Sequence, residues 1–129
     1  MKSPVQKILL ILEDDALLRA TLVETATGAG YEVFEADTAA EGLRLAAAFK
    51  PAVVFCDVHL SKGDGRRVLS KLREDRVLAD CQFVLMTGDW VGASKAESTM
   101  LEADAYLAKP FTLDEFVACL EERYRQASL

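Results

Sequence analysis

The sequence predicts a doubly wound three-layer α/β/α sandwich built on a five-stranded parallel sheet. Short apolar runs of strand length alternate with longer amphipathic patterns, which is typical of chains that wind a parallel sheet through helices. Several runs are almost wholly apolar, as expected for strands covered on both faces. The 129 residues suffice for one hydrophobic core but not for two. We therefore expect a single domain over residues 1–129.

Five runs are the strand candidates: residues 7–12, 31–36, 52–56, 82–86 and 105–108. The second run carries Glu32 and Glu35, so we expect it at an edge of the sheet, where one side meets water. The favoured strand order is 2-1-3-4-5, the flavodoxin-like arrangement, which places its topological switch point between the first and third strands. Ligands of open parallel sheets bind at the carboxyl ends of the strands at such a point.

Helix boundaries follow from periodicity and from capping patterns. An amphipathic pattern that ends at Gly28-Ala29-Gly30 predicts the first helix over about residues 15–29. Thr38 with Glu41, and Thr112 with Glu115, match the capping box and predict the starts of the second and last helices. The remaining two helices are expected over residues 65–74 and 92–103.

Charge and composition exclude several classes of partner. The net charge of −6 gives no broad attraction to nucleic acid or to an anionic membrane. Five basic residues are expected to form the solvated face of one helix: Arg66, Arg67, Lys71, Arg73 and Arg76. No apolar run approaches the roughly 18 residues of a membrane span, and no secretory leader is recognisable. Three cysteines without metal-ligand spacing suit a reducing compartment. We expect a cytoplasmic protein that binds neither nucleic acid nor membrane directly.

Charged residues follow the apolar runs at the predicted carboxyl ends of three strands. Glu13 and Asp14 follow the first run, Asp57 the third, and Lys109 the fifth. Acidic residues at a helix start can also be there simply because the helix dipole stabilises negative charge, and we assign that role to Asp15. The convergence of three acids and one fixed cation instead predicts a divalent metal ion that holds a phosphoryl group.

Five segments in order make the chain resemble, over essentially its whole length, the receiver domain of two-component response regulators. These segments are residues 11–15 (ILEDD), 55–57 (FCD), 64–65 (DG), 85–88 (LMTG) and 103–111 (ADAYLAKPF). Each motif alone is weak. All five with ordinary spacing are a specific pattern.

The resemblance implies a chemistry for the charged cluster. Asp57 would accept a phosphoryl group from a phosphohistidine of a sensor histidine kinase or a histidine phosphotransfer protein, and Lys109 would pair with the phosphoryl oxygens. The cofactor would be Mg²⁺ or Mn²⁺. Its expected ligands are Asp14, Asp57 and the backbone carbonyl of His59, with Glu13 acting through water.

The resemblance also implies a switch. The Thr87 hydroxyl would move to the phosphoryl group and Tyr106 would rotate into the space it leaves. The output would be the surface formed by the helix expected over 92–103, the strand at 105–108 and the last helix, which would bind a downstream protein or support a phosphorylation-dependent dimer. His59 and Asp89 would flank the phosphoryl group and tune its lifetime.

Two features of the loops belong to the same comparison. The Lys109–Pro110 bond is expected in cis, because receivers usually hold it so, against the low base rate of cis proline. Ser61 stands where receivers usually carry proline, and Gly88 where a small residue such as alanine is common. Both substitutions are expected to give their loops more conformational freedom.

Two alternative functions remain. A phosphatase or mutase with an aspartyl nucleophile needs Asp-x-Asp, whereas this chain reads Asp57-Val58-His59 and lacks the second carboxylate. A pseudo-receiver would keep the fold and act by constitutive protein contact. The intact set of charged residues favours a phosphoaccepting signalling domain that is not an enzyme, with at most self-phosphorylation and slow dephosphorylation.

Overall fold

A parallel five-stranded sheet with helices on both faces forms the centre of the molecule. The computed structural model describes residues 5–88 and 103–129. The strands are β1 (Ile8–Leu12), β2 (Glu32–Ala36), β3 (Val53–Asp57), β4 (His59–Leu60), β5 (Gly63–Asp64), β6 (Gln82–Thr87) and β7 (Ala105–Ala108). The helices are α1 (Ala16–Gly28), α2 (Ala39–Phe49), α3 (Gly65–Glu74) and the C-terminal α4 (Leu113–Ala127).

The sheet order is β2-β1-β3-β6-β7, and all neighbours pair in parallel. This confirms the predicted order of the five long strands. β2 lies at an edge, as predicted, and its Glu32 and Glu35 are exposed. β3 extends one residue further than expected, so Asp57 is itself the last residue of that strand.

Two hydrophobic layers cover the two faces of the sheet. α2 and α3 pack on one face, where Leu45 and Leu69 join side chains of the central strands. α1 and α4 pack on the other, where Leu22 and Phe116 are fully buried. Because side chains alternate along a strand, each central strand contributes to both layers, which explains why these strands are apolar throughout.

Side chains cap each of the described helices at its N-terminus. Asp15, Thr38, Asp64 and Thr112 accept hydrogen bonds from backbone N–H groups of the first turn. The capping box at Thr112 is complete, as predicted. At Thr38 only one half of the predicted box forms, because the partner carboxylate is drawn to Arg44, whose Nη2 lies 2.6 Å from Glu41 Oε1.

A two-residue antiparallel hairpin, β4–β5, follows β3 and was not predicted. His59 pairs with Asp64 and Leu60 with Gly63. The turn depends on Gly63, whose φ of 119° is a conformation that other residues rarely adopt. Strands of two residues are too short to show an alternating pattern, so the sequence carried no signal for them.

Arg73 corrects the expectation of a uniformly solvated basic face on α3. Only 13% of its side chain is exposed, and its guanidinium donates to the carbonyls of Ala79 and Cys81 and to Asp104 Oδ2 at 2.7–2.9 Å. The same Asp104 oxygen accepts from the backbone N–H of Phe83 at 2.7 Å. Arg73 therefore ties the end of α3 to the starts of β6 and β7. The other basic residues of that group, except Arg66 beside Asp64, are exposed.

The structure bears on three further expectations. The Lys109–Pro110 bond is cis, as predicted. Asp89 and, apart from Ala103, the helix expected over 92–103 lie outside the described residues. In the part of the chain that the structure describes, every helix is too short or too polar to cross a membrane.

The start of α3 approaches β3 so closely that only glycine fits at position 65. A Cβ there would lie 2.1 Å from the carbonyl oxygen of Asp57. We expect Gly65→Ala to destabilise the protein by about 1–3 kcal/mol, the usual cost of overpacking, as measured by urea unfolding.

Gly28→Ala is the matched control. Position 28 is also helical and nothing lies within 4 Å of its added Cβ, so this change should be neutral or stabilising by about 0.4–1 kcal/mol. Equal costs for the two variants would show that the contact with Asp57 does not restrict position 65.

Candidate functional site

Three charged side chains meet at the carboxyl ends of the strands because each continues the alternation of its strand. Glu13 follows β1, Asp57 ends β3 and Lys109 follows β7. Two positions before each of them lies an apolar residue buried in the layer covered by α1 and α4: Ile11, Phe55 and Leu107. Since side chains two apart share one face of a strand, all three charged groups continue on that face.

Lys109 bridges the two buried carboxylates. Its Nζ lies 2.6 Å from Glu13 Oε1 and 2.8 Å from Asp57 Oδ2. The Glu13 side chain is only 1% exposed and that of Asp57 11%. The backbone N–H of Lys109 also donates to the carbonyl of Thr87 at 2.8 Å, which continues the β6–β7 pairing and holds the lysine at this edge of the sheet.

Glu13 accepts hydrogen bonds at its carboxylate and at its backbone carbonyl. Its Oε2 accepts from the backbone N–H of Asp15 at 3.0 Å, and its carbonyl accepts from Arg19 Nη1 at 2.7 Å. Arg19 also pairs with Glu35 on the edge strand at 3.0 Å. Arg19 was not predicted to belong to the site, because an arginine in an amphipathic helix carries no signal for a bond to the carbonyl of a residue just before that helix.

The pKa shifts follow from this geometry. Burial raises the pKa of Glu13 and the negative charge of Asp57 adds to the rise, while the bond to Lys109 only partly offsets it. For Lys109, burial alone would lower the pKa, but the bonds to Asp57 and Glu13 outweigh burial and raise it. The lysine therefore stays protonated and provides the positive charge next to both carboxylates.

Asp14 completes the predicted acidic cluster. One carboxylate oxygen from each of Glu13, Asp14 and Asp57 lies within 4.8 Å of the other two. Asp14 Oδ2 accepts from the backbone N–H of Ser61 at 2.7 Å, and Asp57 Oδ1 accepts from that of His59 at 3.1 Å. Oxygen donors converging in this way suit a hard divalent cation such as Mg²⁺.

The structure describes three other expected site residues, Thr87, Tyr106 and His59, whereas Asp89 lies outside the described residues. Thr87 is buried at the end of β6, and Leu85, two positions earlier, pairs in register with Tyr106 on β7. Thr87 and Tyr106 therefore lie on the same face of the sheet, the face covered by α2 and α3. His59 is exposed on β4.

An apolar cavity of about 350 Å³ opens beside the charged cluster. Leu18, Lys109, Pro110 and Phe111 line it. Leu17, which precedes Leu18 on α1, is 79% exposed. Apart from Lys109, the residues that line this cavity are apolar.

Comparisons with known proteins show which family the chain resembles. The family model of the response regulator receiver domain matches residues 9–121. The KDP operon transcriptional regulatory protein KdpE of Escherichia coli is 33% identical over 119 residues, which are 92% of this chain and 52% of that protein. The DNA-binding dual master transcriptional regulator RpaA of Synechocystis is 32% identical over 110 residues, 85% of this chain and 46% of its own length.

A solved structure shows the same fold at comparable similarity. The crystal structure of a putative response regulator from Chloroflexus aurantiacus is 28% identical, has a TM-score of 0.86, and covers 94% of this chain and 99% of its own. The chain spans about half the length of the two curated relatives named above. On the family match and these similarities, the chain belongs to the response regulator receiver domains.

Proposed function

We propose that this chain is a single receiver domain that works in the cytoplasm and accepts a phosphoryl group on Asp57 from a phosphohistidine of a sensor histidine kinase or a histidine phosphotransfer protein. The observation that carries the proposal is the contact of Lys109 with both Asp57 and the buried Glu13. It places a fixed cation against the proposed nucleophile, beside a third carboxylate, Asp14.

The carboxylate cluster fits a divalent cation, because its donors are oxygens and each of the three acids offers one within 4.8 Å of the others. We assign Asp14, Asp57 and the backbone carbonyl of His59 as ligands of Mg²⁺ or Mn²⁺. Glu13, whose two oxygens accept from Lys109 and from the Asp15 N–H, acts through water. When bound, the cation neutralises negative charge on the phosphoryl oxygens during transfer.

The residues of the chain then have distinct roles in the transfer. A carboxylate oxygen of Asp57 attacks phosphorus, an O–P bond forms, and the N–P bond of the phosphohistidine breaks, so that the electron pair leaves with the imidazole. The N–H of His59 and the ammonium of Lys109 orient the Asp57 carboxylate. Lys109 stays protonated and pairs with the phosphoryl oxygens, while Glu13 holds it in place.

The product is an acyl phosphate in a signalling domain and not a turnover intermediate of an enzyme. His59, exposed on β4, and Asp89 are proposed to flank this group and set how long it survives. Thr87 is proposed to move toward the new phosphoryl group and Tyr106 to rotate on the same face of the sheet. That change would alter the surface of segment 92–103, β7 and α4, where a downstream protein or a second copy binds.

Replacing Lys109 with methionine should expose the electrostatic strain between Glu13 and Asp57. Without the Lys109 ammonium, the pKa of Glu13 in the folded state should rise further above its ordinary value of 4.5. Stability from a raised pKa is present below the unfolded-state value and lost as pH rises through the folded-state value. The variant should therefore lose about 1–3 kcal/mol relative to wild type near pH 7, and regain most of it near pH 5.

Urea unfolding at the two pH values measures this effect. Lys71→Met, which removes an exposed lysine of α3, is the control and should keep the wild-type pH dependence. If Lys109→Met showed that same dependence, the lysine would not be neutralising the buried acids.

Phosphorylation by acetyl phosphate tests the proposed function directly. Intact-mass spectrometry should show one added phosphoryl group in wild type with Mg²⁺, and none after chelation of the metal or in Asp57→Asn. Asp80→Asn, which removes an exposed acid away from the site, should be modified as wild type. An unmodified wild-type protein would favour the pseudo-receiver, and continuous release of phosphate with many turnovers would favour the phosphatase.

In the same assay His59→Ala should change the half-life of the phosphoryl group.

Binding of beryllofluoride, a stable mimic of the phosphoryl group, tests the switch. In wild type the aromatic NMR signals of Tyr106 should shift, because the Thr87 hydroxyl has moved and the Tyr106 side chain takes a new rotamer. In Thr87→Ala the mimic should still bind at Asp57, but the Tyr106 side chain should keep the rotamer that it has in the free protein. Tyr106 signals that do not differ between free and bound wild type would contradict the coupling.

A further inference from the structure

The turn of the β4–β5 hairpin reaches across to the carboxylate cluster. The backbone N–H of Ser61 donates to Asp14 Oδ2 at 2.7 Å, between residues 47 positions apart in the chain. This is a short bond from a neutral donor to a carboxylate, the kind that is stronger than bonds between neutral groups. It uses the peptide N–H and not the serine hydroxyl.

Three contacts hold the turn in position for this bond. Leu60 is buried in the layer of α2 and α3. The carbonyl of Lys62 accepts from the backbone N–H of Ala39, the first residue of α2, at 3.1 Å. Gly63 lies against Ala39 so closely that a Cβ would approach the Ala39 methyl group to 2.4 Å. The Ser61 N–H is therefore fixed by the packing of the hairpin on α2.

We propose that the Ser61 N–H is a positioning group for the divalent cation, acting through Asp14. The bond engages one oxygen of Asp14 and leaves the other for the metal, so the carboxylate is already oriented before the cation arrives. This inference rests on the proposed function, in which Asp14 is a metal ligand. It adds the β4–β5 hairpin, and through it the start of α2, to the elements that set metal affinity.

The expected size of the effect follows from how metal sites respond to changes around their ligands. Loss of a hydrogen bond to a metal ligand typically weakens metal binding by about 10- to 100-fold. Asp14 is partly exposed, and water can replace a lost donor there. The effect should therefore lie at the lower end of that range, about tenfold.

Comparison of Ser61→Pro with Ser61→Ala tests the proposal. Proline has no N–H, whereas alanine keeps it and removes only the hydroxyl. Mg²⁺ titrations followed by calorimetry, without any phosphodonor, should give wild-type affinity for Ser61→Ala and an affinity about tenfold weaker for Ser61→Pro. Equal affinities in the two variants would overturn the proposal.

A second variant separates the lost bond from any distortion by the proline ring. In the Ser61→Ala variant, the alanine is replaced with the α-hydroxy acid that has the same side chain. The peptide bond between residues 60 and 61 then becomes an ester, which has no N–H, while the side chain is unchanged. The ester variant should also bind Mg²⁺ about tenfold more weakly than Ser61→Ala. If it binds as tightly as Ser61→Ala, the proposal is wrong, whatever Ser61→Pro does.

The titrations also distinguish failure of this inference from failure of the proposed function. If wild type and Ser61→Ala bind Mg²⁺ and the ester variant binds equally well, only the role of the Ser61 N–H is lost. If wild type binds no Mg²⁺ and acetyl phosphate leaves Asp57 unmodified, the proposed function itself is wrong.

Discussion

The ion pair that Lys109 makes with Glu13 and Asp57 is the interaction on which the rest of the site depends. Glu13 is almost completely buried, and a carboxylate is costly to bury without a partner. The Asp15 N–H and Arg19 donate to its second oxygen and to its carbonyl, and Lys109 also donates to the neighbouring Asp57. The cost of bringing three acids together is thus offset by one lysine and several N–H groups.

The sheet makes this ion pair possible. β1, β3 and β7 run in the same direction, and one side chain just at or beyond the end of each strand continues the face that packs against α1 and α4. A one-residue change in the register of any of these strands would turn its charged group to the opposite face. The buried residues Ile11, Phe55 and Leu107 fix that register, and in this way the hydrophobic core also determines the geometry of the charged site.

A second group of contacts supports the acids from the α2–α3 side. The close approach of Gly65 to the Asp57 carbonyl sets where α3 begins, and the β4–β5 hairpin brings two backbone N–H groups to Asp14 and Asp57. Most of the donors in this region are main-chain groups, whose positions depend on the fold and not on residue type. Thr87 and Tyr106 lie on this same side of the sheet, which links the proposed switch to the layer that also carries the hairpin.

The sequence by itself determined the strand order, the edge position of β2, most helix boundaries and the identity of the four charged residues, because periodicity, capping and strand-end placement are local patterns. It did not reveal the hairpin, the bond from Arg19 to the Glu13 carbonyl, the burial of Arg73, or the Ser61 N–H at Asp14. Ser61 was expected only to free its loop, yet its amide forms a bond at the site. These features depend on contacts that residue type does not record: Arg73 reaches Asp104, 31 positions away, and the Ser61 N–H reaches Asp14, 47 positions away. Only the tertiary structure decided them, because it packs α2 and α3 against the sheet and sets β2 at the edge of the sheet.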